Sequence, residues 1–196
     1  CSIVVSNSLD EYLIESLLSQ GAQIDSMGVG ENLVTSKSSP VFGGVYKLSA
    51  VCRGEEIIPK IKVSENIEKV TNPGMKNLYR IYDKESGMAL GDIMTLVDET
   101  LDPSQDLTIY HQMNYWKNKM IPKGSYELRD LLVPIFIDGQ LVYDCPSLAE
   151  IRAYSEKELS HLWDEVKRFT YPQTYYVDLS RKLLDLKMKM LEEVPK

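Results

Sequence analysis

From Val4 to Asn32 the chain reads VVSNSLDEYLIESLLSQGAQIDSMGVGEN, and no other stretch limits the possible folds as much. It holds two short apolar runs, each ending in small or polar turn residues and each leading into a helix-like pattern. Residues 2–5 form a short run rich in β-branched side chains, too short for a helix, which suits a buried strand. Ser8 and Glu11 stand in the S-x-x-E spacing of a capping box, which predicts a helix start at Ser8. Leu9, Tyr12, Leu13 and Leu17 fall on one helical face, and Gly21 supplies the left-handed stop, so this helix should end near Gln20. Residues 22–27 read as a second strand containing Ile24. Gly28, Val29 and Gly30 then turn the chain into ENLVTS, the next helix start.

Two strand-to-helix turns built from small residues place two sets of free backbone amides side by side if their strands are parallel neighbours. Such amides, with the partial positive charge of helix starts and no Cβ at glycine, make an anion site. Barrels of alternating strands and helices often bind phosphate in the loops after their last strands. Taken singly, G-x-G is also a plain tight turn and S-N-S a plain cap, and both readings stand on the residues alone.

The ordered series SNSLDEYLI, QGAQIDSMGVGENLVTSKSSPVFGGVYKL and KVSENIEKVTNPGMKNLYRIYD resembles the C-terminal part of bacterial nicotinate phosphoribosyltransferase, with the likeness running over essentially the whole chain. The resemblance implies an α/β fold: the last strand-helix units of a type II phosphoribosyltransferase α/β barrel, then a strand-rich segment and C-terminal helices. The corresponding spans are 1–40, 41–146 and 147–196. It implies synthesis of nicotinate mononucleotide from nicotinate and phosphoribosyl pyrophosphate, coupled to ATP hydrolysis with Mg2+, as the entry to NAD by salvage, and a homodimer for the full-length enzyme. In this family the nicotinate clamp and the phosphorylated histidine lie earlier in the chain. A start at Cys1 is therefore expected to mark a fragment without turnover of its own, and no catalytic residue or metal ligand is assigned in it.

By the same resemblance, Ser6, Asn7 and Ser8 offer side-chain and amide donors to the substrate phosphate, and Gly28, Val29 and Gly30 offer amides from the second turn. Glu31 departs from the pattern, since some members carry threonine there. A carboxylate cannot donate, so only its amide is carried over, with the side chain expected toward solvent, magnesium-bound water or a helix-start amide. His111 and His161 match neither family histidine and are read as surface or packing residues. The alternative is a non-catalytic phosphate-binding or subunit-interaction module.

Composition suits a globular piece: 196 residues, 43% hydrophobic and 26% charged, enough for a core but not for a whole barrel with accessory domains. A net charge of −7 without a basic stripe argues against nucleic acid. Cys1, Cys52 and Cys145 are widely spaced with no C-x-x-C pair, so neither a disulfide framework nor a zinc site is indicated. No apolar run approaches a membrane span, and a reducing, cytoplasmic setting is expected.

After Leu33 the pattern turns to strands at 45–53, 57–63, 77–83, 88–97 and 107–113, separated by the turn sequences NPG, KESG and DPSQD. With no linker in evidence, one compact unit is expected. Ser64, Lys69, Thr71, Pro73, Gly74 and Lys76 gather hydroxyls and ammonium groups around a turn. Lys69, Thr71 and Lys76 are thus possible second-tier phosphate or nucleotide contacts, and equally a solvated connection. Gly43 and Gly44 suggest close backbone packing. Helical spacing returns from Ser147, with Leu148, Ile151 and Tyr154 on one face and Leu159, Leu162, Trp163 and Val166 on another, and again over 179–194, where RKLLDLKMKMLEEV reads as a core or interface stripe.

Overall fold

The structure, a computed structural model, describes residues 1–193. The chain divides into two compact units rather than one: residues 1–46 with 168–172, and residues 47–167 with 173–193.

In the first unit β1 (Val4–Ser6), α1 (Glu11–Ser19), β2 (Ser26–Gly28) and α2 (Glu31–Val34) follow in order, and β1 and β2 pair in parallel. The cap of α1 is Asp10, whose carboxylate accepts from the Leu13 amide at 2.8 Å, and not Ser8. An N-cap needs extended backbone; Asp10 has it (φ −137°), whereas Ser8 is left-handed at φ 51°. Gly21 does take the left-handed stop at φ 80°. Ile24 lies outside β2, because Asp25 turns its carboxylate onto the Ile3 amide at 2.6 Å and the strand begins only after it. Leu9 is buried, Ile14 and Leu17 are half-buried, and Tyr12 and Leu13 of the expected face are exposed.

The second unit contains β3 (Ala50–Arg53), β4 (Glu56–Pro59), a 3₁₀ turn (Ile67–Lys69), β5 (Lys76–Asp83), β6 (Ala89–Leu96), β7 (Leu107–Tyr110), β8 (Asn118–Ile121), β9 (Tyr126–Asp130), β10 (Phe136–Ile137), β11 (Gln140–Leu141), α3 (Leu148–Ser160), α4 (Asp164–Lys167), β12 (Val177–Leu179) and α5 (Arg181–Glu192). Its centre is a mixed six-stranded sheet ordered β8-β7-β12-β6-β5-β9, in which β12 runs parallel to β6 and antiparallel to β7. The molecule is therefore α/β with a mixed sheet.

Two apolar clusters flank this sheet. Ile81, Ile93, Leu107, Ile109, Ile121 and Tyr126 form one. Leu179, Leu183 and Leu184, with Met94, Leu96 and Met188 against them, form the other, so the α5 stripe is core as its spacing predicts. Leu179, expected to open that helix, instead ends β12, and Ser180 caps α5 by accepting from the Leu183 amide. Val194, its expected end, lies outside the described residues.

Other expected strands are shorter than their apolar runs. Residues 45–49 are not in a strand and 41–48 are exposed; β4 ends at Pro59, which lacks the amide a ladder needs. β7 ends where the His111 ring turns back to accept from the Met113 and Asn114 amides. Gly43 and Gly44 have open space where a Cβ would stand, so the expected close packing is absent there. Among the described residues no helix is long and apolar enough to cross a membrane, and Cys1, Cys52 and Cys145 are unpaired and exposed.

Helix α3 begins with a complete capping box of Ser147 and Glu150. Its expected apolar face at Leu148, Ile151 and Tyr154 is exposed. What ties it to the sheet is charge: Glu158 accepts from Arg129 at 2.6 Å on each oxygen and from Arg80 at 3.0 Å. Arg80 also grips the buried Asp92 at 2.9 Å, and Tyr175 donates to that carboxylate at 2.7 Å. Hydrogen bonding from Arg129 holds the Glu158 carboxyl below its ordinary value of 4.5. Its stabilising contribution is therefore full at neutral pH and is lost as the pH falls through 4.5 and below. Glu158→Ala should cost roughly 2–3 kcal/mol at pH 7, below the figure for a fully buried pair because Arg129 stays one-third exposed. In urea melts the gap between wild type and variant should close by pH 3; a gap independent of pH would contradict the ionic tether.

Candidate phosphate site

The parallel register of the first unit pairs Val4 with Ser26, Val5 with Met27 and Ser6 with Gly28. Both strands thus end at one edge, and both turns leave the sheet side by side. After Ser6 the chain takes two successive left-handed residues, Asn7 at φ 88° and Ser8 at φ 51°. Left-handed backbone costs a non-glycine residue free energy and recurs where a site is being shaped. After Gly28 the chain reaches Gly30, the cap of α2, whose carbonyl accepts from the Leu33 and Val34 amides. A Cβ at Gly28 would stand 3.2 Å from the Ser6 Cβ, so the two strand ends meet closely, whereas a Cβ at Gly30 would meet nothing within 4 Å.

Asn32 locks the turns to each other. Its side-chain amide donates to the Leu9 carbonyl at 2.9 Å and to the Ser8 carbonyl at 3.4 Å. A cavity of about 430 Å³ opens between the turns, lined by Asn7, Ser8, Gly28, Gly30 and Glu31 together with Asp10, Asn32 and Lys37. Of the residues expected from sequence, Ser6 and Val29 are not on this wall; Val29 faces a neighbouring cavity with Ile14 and Leu33. Glu31 is exposed, and its carbonyl accepts from the Thr35 hydroxyl at 2.8 Å.

Sequence reasoning missed Asn32 and Lys37. Lys37 is the one cation on the wall, brought round by the left-handed Ser36 (φ 47°) and a bond from its amide to the Asn32 carbonyl at 3.1 Å. A single lysine in the serine-rich SKSS has no spacing signal, and its place depends on that turn.

Lys69, Thr71 and Lys76 belong to the second unit. Lys69 is exposed at the end of the 3₁₀ turn; Thr71 accepts from the Lys62 amide at 2.8 Å; Lys76 donates to the Asn72 and Gly74 carbonyls, and burial pushes its ammonium below its ordinary value. Ser64 accepts weakly from the Asn66 amide, and Pro73 and Gly74 are buried, the latter left-handed at φ 85° against the Leu96 side chain. The histidines pack: His161 contacts the Gly87 carbonyl at 2.8 Å and meets Tyr82 edge-on.

Comparison with known proteins follows this geometry. A family model described as the nicotinate phosphoribosyltransferase C-terminal domain matches residues 75–187. The nicotinate phosphoribosyltransferase of Bacillus subtilis (strain 168) is 38% identical over 192 residues, covering 98% of this chain and 39% of the relative. The Homo sapiens enzyme of that name is 35% identical over 190 residues, covering 92% and 32%. The crystal structure of human nicotinic acid phosphoribosyltransferase superposes with a TM-score of 0.68 at 29% identity, covering 97% of this chain and 33% of the other. The chain thus spans about two fifths or less of the length of these relatives.

The left-handed pair should be measurable as strain. Asn7→Gly is expected to leave thermal stability unchanged or raised, while Asn7→Val should lower it by about 1–3 kcal/mol. Equal melting for the two variants would show that the turn relaxes at no cost.

Proposed function

Since the chain belongs to the nicotinate phosphoribosyltransferase family through its C-terminal domain, we propose that it supplies the ribose-phosphate half of a nicotinate phosphoribosyltransferase site. The observation that carries this reading is the shared cavity: two turns at one parallel edge line a single space of phosphate-holding size, with Lys37 on its wall. On this reading β1-α1 and β2-α2 are the last strand-helix units of an α/β barrel, in the position where barrels hold phosphate.

The reaction joins nicotinate to phosphoribosyl pyrophosphate as the C1–pyrophosphate bond breaks, with cationic character building at the sugar. No nucleophilic side chain is needed, so the protein's work is to position reactants and to neutralise charge. The amides around Asn7, Ser8, Gly30 and Glu31 hold the 5-phosphate, and Lys37 adds a mobile positive charge. With the phosphate fixed, the ribose presents C1 to the nicotinate nitrogen on the face opposite the leaving group.

ATP hydrolysis is coupled to this step in the proposed whole enzyme, which works as a cytoplasmic homodimer. Among the described residues no three acidic, histidine or cysteine side chains gather to hold a metal. Magnesium commonly takes one or two carboxylates plus substrate phosphates, and Glu31 and Asp10, both on the cavity wall, are the carboxylates that suit it. Without such a cation, a carboxylate about 6 Å from a phosphate costs on the order of 3 kcal/mol at an effective dielectric near 20, so Glu31 either points away or meets the metal.

The test joins the N-terminal portion of the Bacillus subtilis relative to this chain. The chimera should form nicotinate mononucleotide, and the 196-residue chain alone should form none. Within the chimera, Lys37→Ala and Gly30→Leu should raise the KM for phosphoribosyl pyrophosphate about tenfold or more while changing that for nicotinate far less. With Glu31 pointing away, Glu31→Thr should leave phosphoribosyl pyrophosphate affinity equal or improved, whereas a loss restored by raising magnesium would place the carboxylate on the metal. Product from the chain alone, or equal changes in both KM values, would overturn the assignment.

A further inference from the structure

A different cavity, in the second unit, holds the most unusual charge in the molecule. Asp178, in the middle strand β12, is only 8% exposed, yet its carboxylate accepts no hydrogen bond from any described residue. The contrast with Asp92 on the neighbouring strand is direct, since that equally buried carboxylate is held by Arg80 and Tyr175. The Asp178 oxygens are not sealed in, since the fully buried side-chain atom without a partner among the described residues is Thr95 Oγ1; they open on a cavity, and partial desolvation pushes the Asp178 carboxyl above its ordinary value.

Sheet register shows where it faces. Leu179 lies opposite Tyr110, so one step along, Asp178 lies beside His111; the His111 amide in turn donates to the Lys117 carbonyl, and Ile109 pairs with Lys119. Asp178, His111, Ile109 and Lys119 therefore share one face, and the charges of His111 and Lys119 act on the Asp178 carboxyl. Over this face opens a cavity of about 540 Å³, with Asp178 and Ile109 on its floor, Trp116 and Tyr176 on its walls and Lys117 and Lys119 at its rim. Trp116 is 76% exposed, an unusual placement for an indole. The Tyr176 segment is pinned, since its carbonyl accepts from the Asp92 amide at 2.9 Å and passes so close to Gly91 that a Cβ there would stand 3.1 Å away. The His111 ring is oriented too, since its Nδ1 accepts from the Met113 and Asn114 amides.

We propose that this cavity binds an aminopurine nucleotide, with the exocyclic amino group donating to Asp178, the base against Trp116 and Tyr176, and the phosphate on Lys117 and Lys119. Each part answers one feature. An ionised carboxylate only accepts, so its ligand must bring a donor. Aromatic walls over an apolar floor take a flat ring. The paired lysines take an anion, which a simple amine or metal cation would not supply, and a bare anion would be repelled by Asp178.

The experiment titrates the whole chain with AMP and follows tryptophan fluorescence, with Trp116→Phe to assign the signal. AMP should quench it saturably. Purine riboside 5′-monophosphate, which lacks the amino group, should bind about tenfold more weakly or worse, and adenosine should lose the dependence on Lys117 and Lys119 that AMP shows. Asp178→Leu, close in shape, should weaken AMP by a similar factor while leaving the melting temperature equal or higher, because a partly desolvated charge is removed. If that variant does not fold, the comparison of the two nucleotides on the unaltered chain decides. No saturable AMP binding at millimolar concentration, equal affinity with and without the amino group, or binding that leaves Trp116 unaffected would each overturn the proposal. AMP also carries a ribose 5-phosphate of the kind assigned to the first unit, so the Trp116 signal and its dependence on Lys117 and Lys119 are what assign binding to this cavity, and the failure of either leaves the first-unit reading to its own test.

Discussion

The candidate site depends on one pairing, the in-register parallel contact of β1 with β2. Parallel strands send their carboxyl ends in the same direction, so pairing Ser6 with Gly28 brings two turns to one edge that an antiparallel pair would have placed at opposite ends. The close approach at Gly28, the Asp25 staple on Ile3 and the Asn32 bridge to Ser8 and Leu9 all hold that edge together. Asn7 and Ser8 accept left-handed backbone there, a local cost that the surrounding bonds sustain.

The second unit solves a different problem. Its strand β12 has three residues, too few to stand alone, and it survives because it is inserted between β6 and β7 with α5 capped directly onto its end. Polar groups bind this arrangement as much as apolar ones. Ser180 caps the helix and donates to Glu99 at 2.7 Å, while the Arg80, Asp92, Glu158 and Arg129 network fastens an otherwise exposed helix. Asp178 differs from Asp92 within this framework: its carboxylate has no protein donor among the described residues and opens on a cavity, where a ligand can supply one.

Local signals were read well where local chemistry decides. The Ser147–Glu150 capping box, the Gly21 stop and the apolar stripe of Leu183, Leu184 and Met188 follow from neighbours in sequence. The β5–β6 hairpin was legible for the same reason. The hairpin between β10 and β11 carries its own mark, an Asp138–Gly139 pair with both residues left-handed, but its strands of two residues each are too short for a period-2 pattern to show. Misreadings came from long-range competition. Ser8 has the spacing of a cap, but the turn it occupies puts it in the wrong backbone region, and Asp10 caps instead. Residues 45–49 have strand composition but lie outside any strand, and 111–113 leave the ladder where the His111 ring turns back. Of the site, the two turns were visible as motifs, whereas Lys37 and Asn32 reach the cavity only through the fold.

The central claim is that both turns of the first unit grip one phosphate. Backbone amide shifts of the chain titrated with ribose 5-phosphate test it most directly. The amides of Asn7, Ser8, Gly30 and Glu31 are predicted to move together along one saturation curve, with Lys37→Ala weakening all four alike. Shifts confined to one turn, or two curves with different affinities, would contradict it.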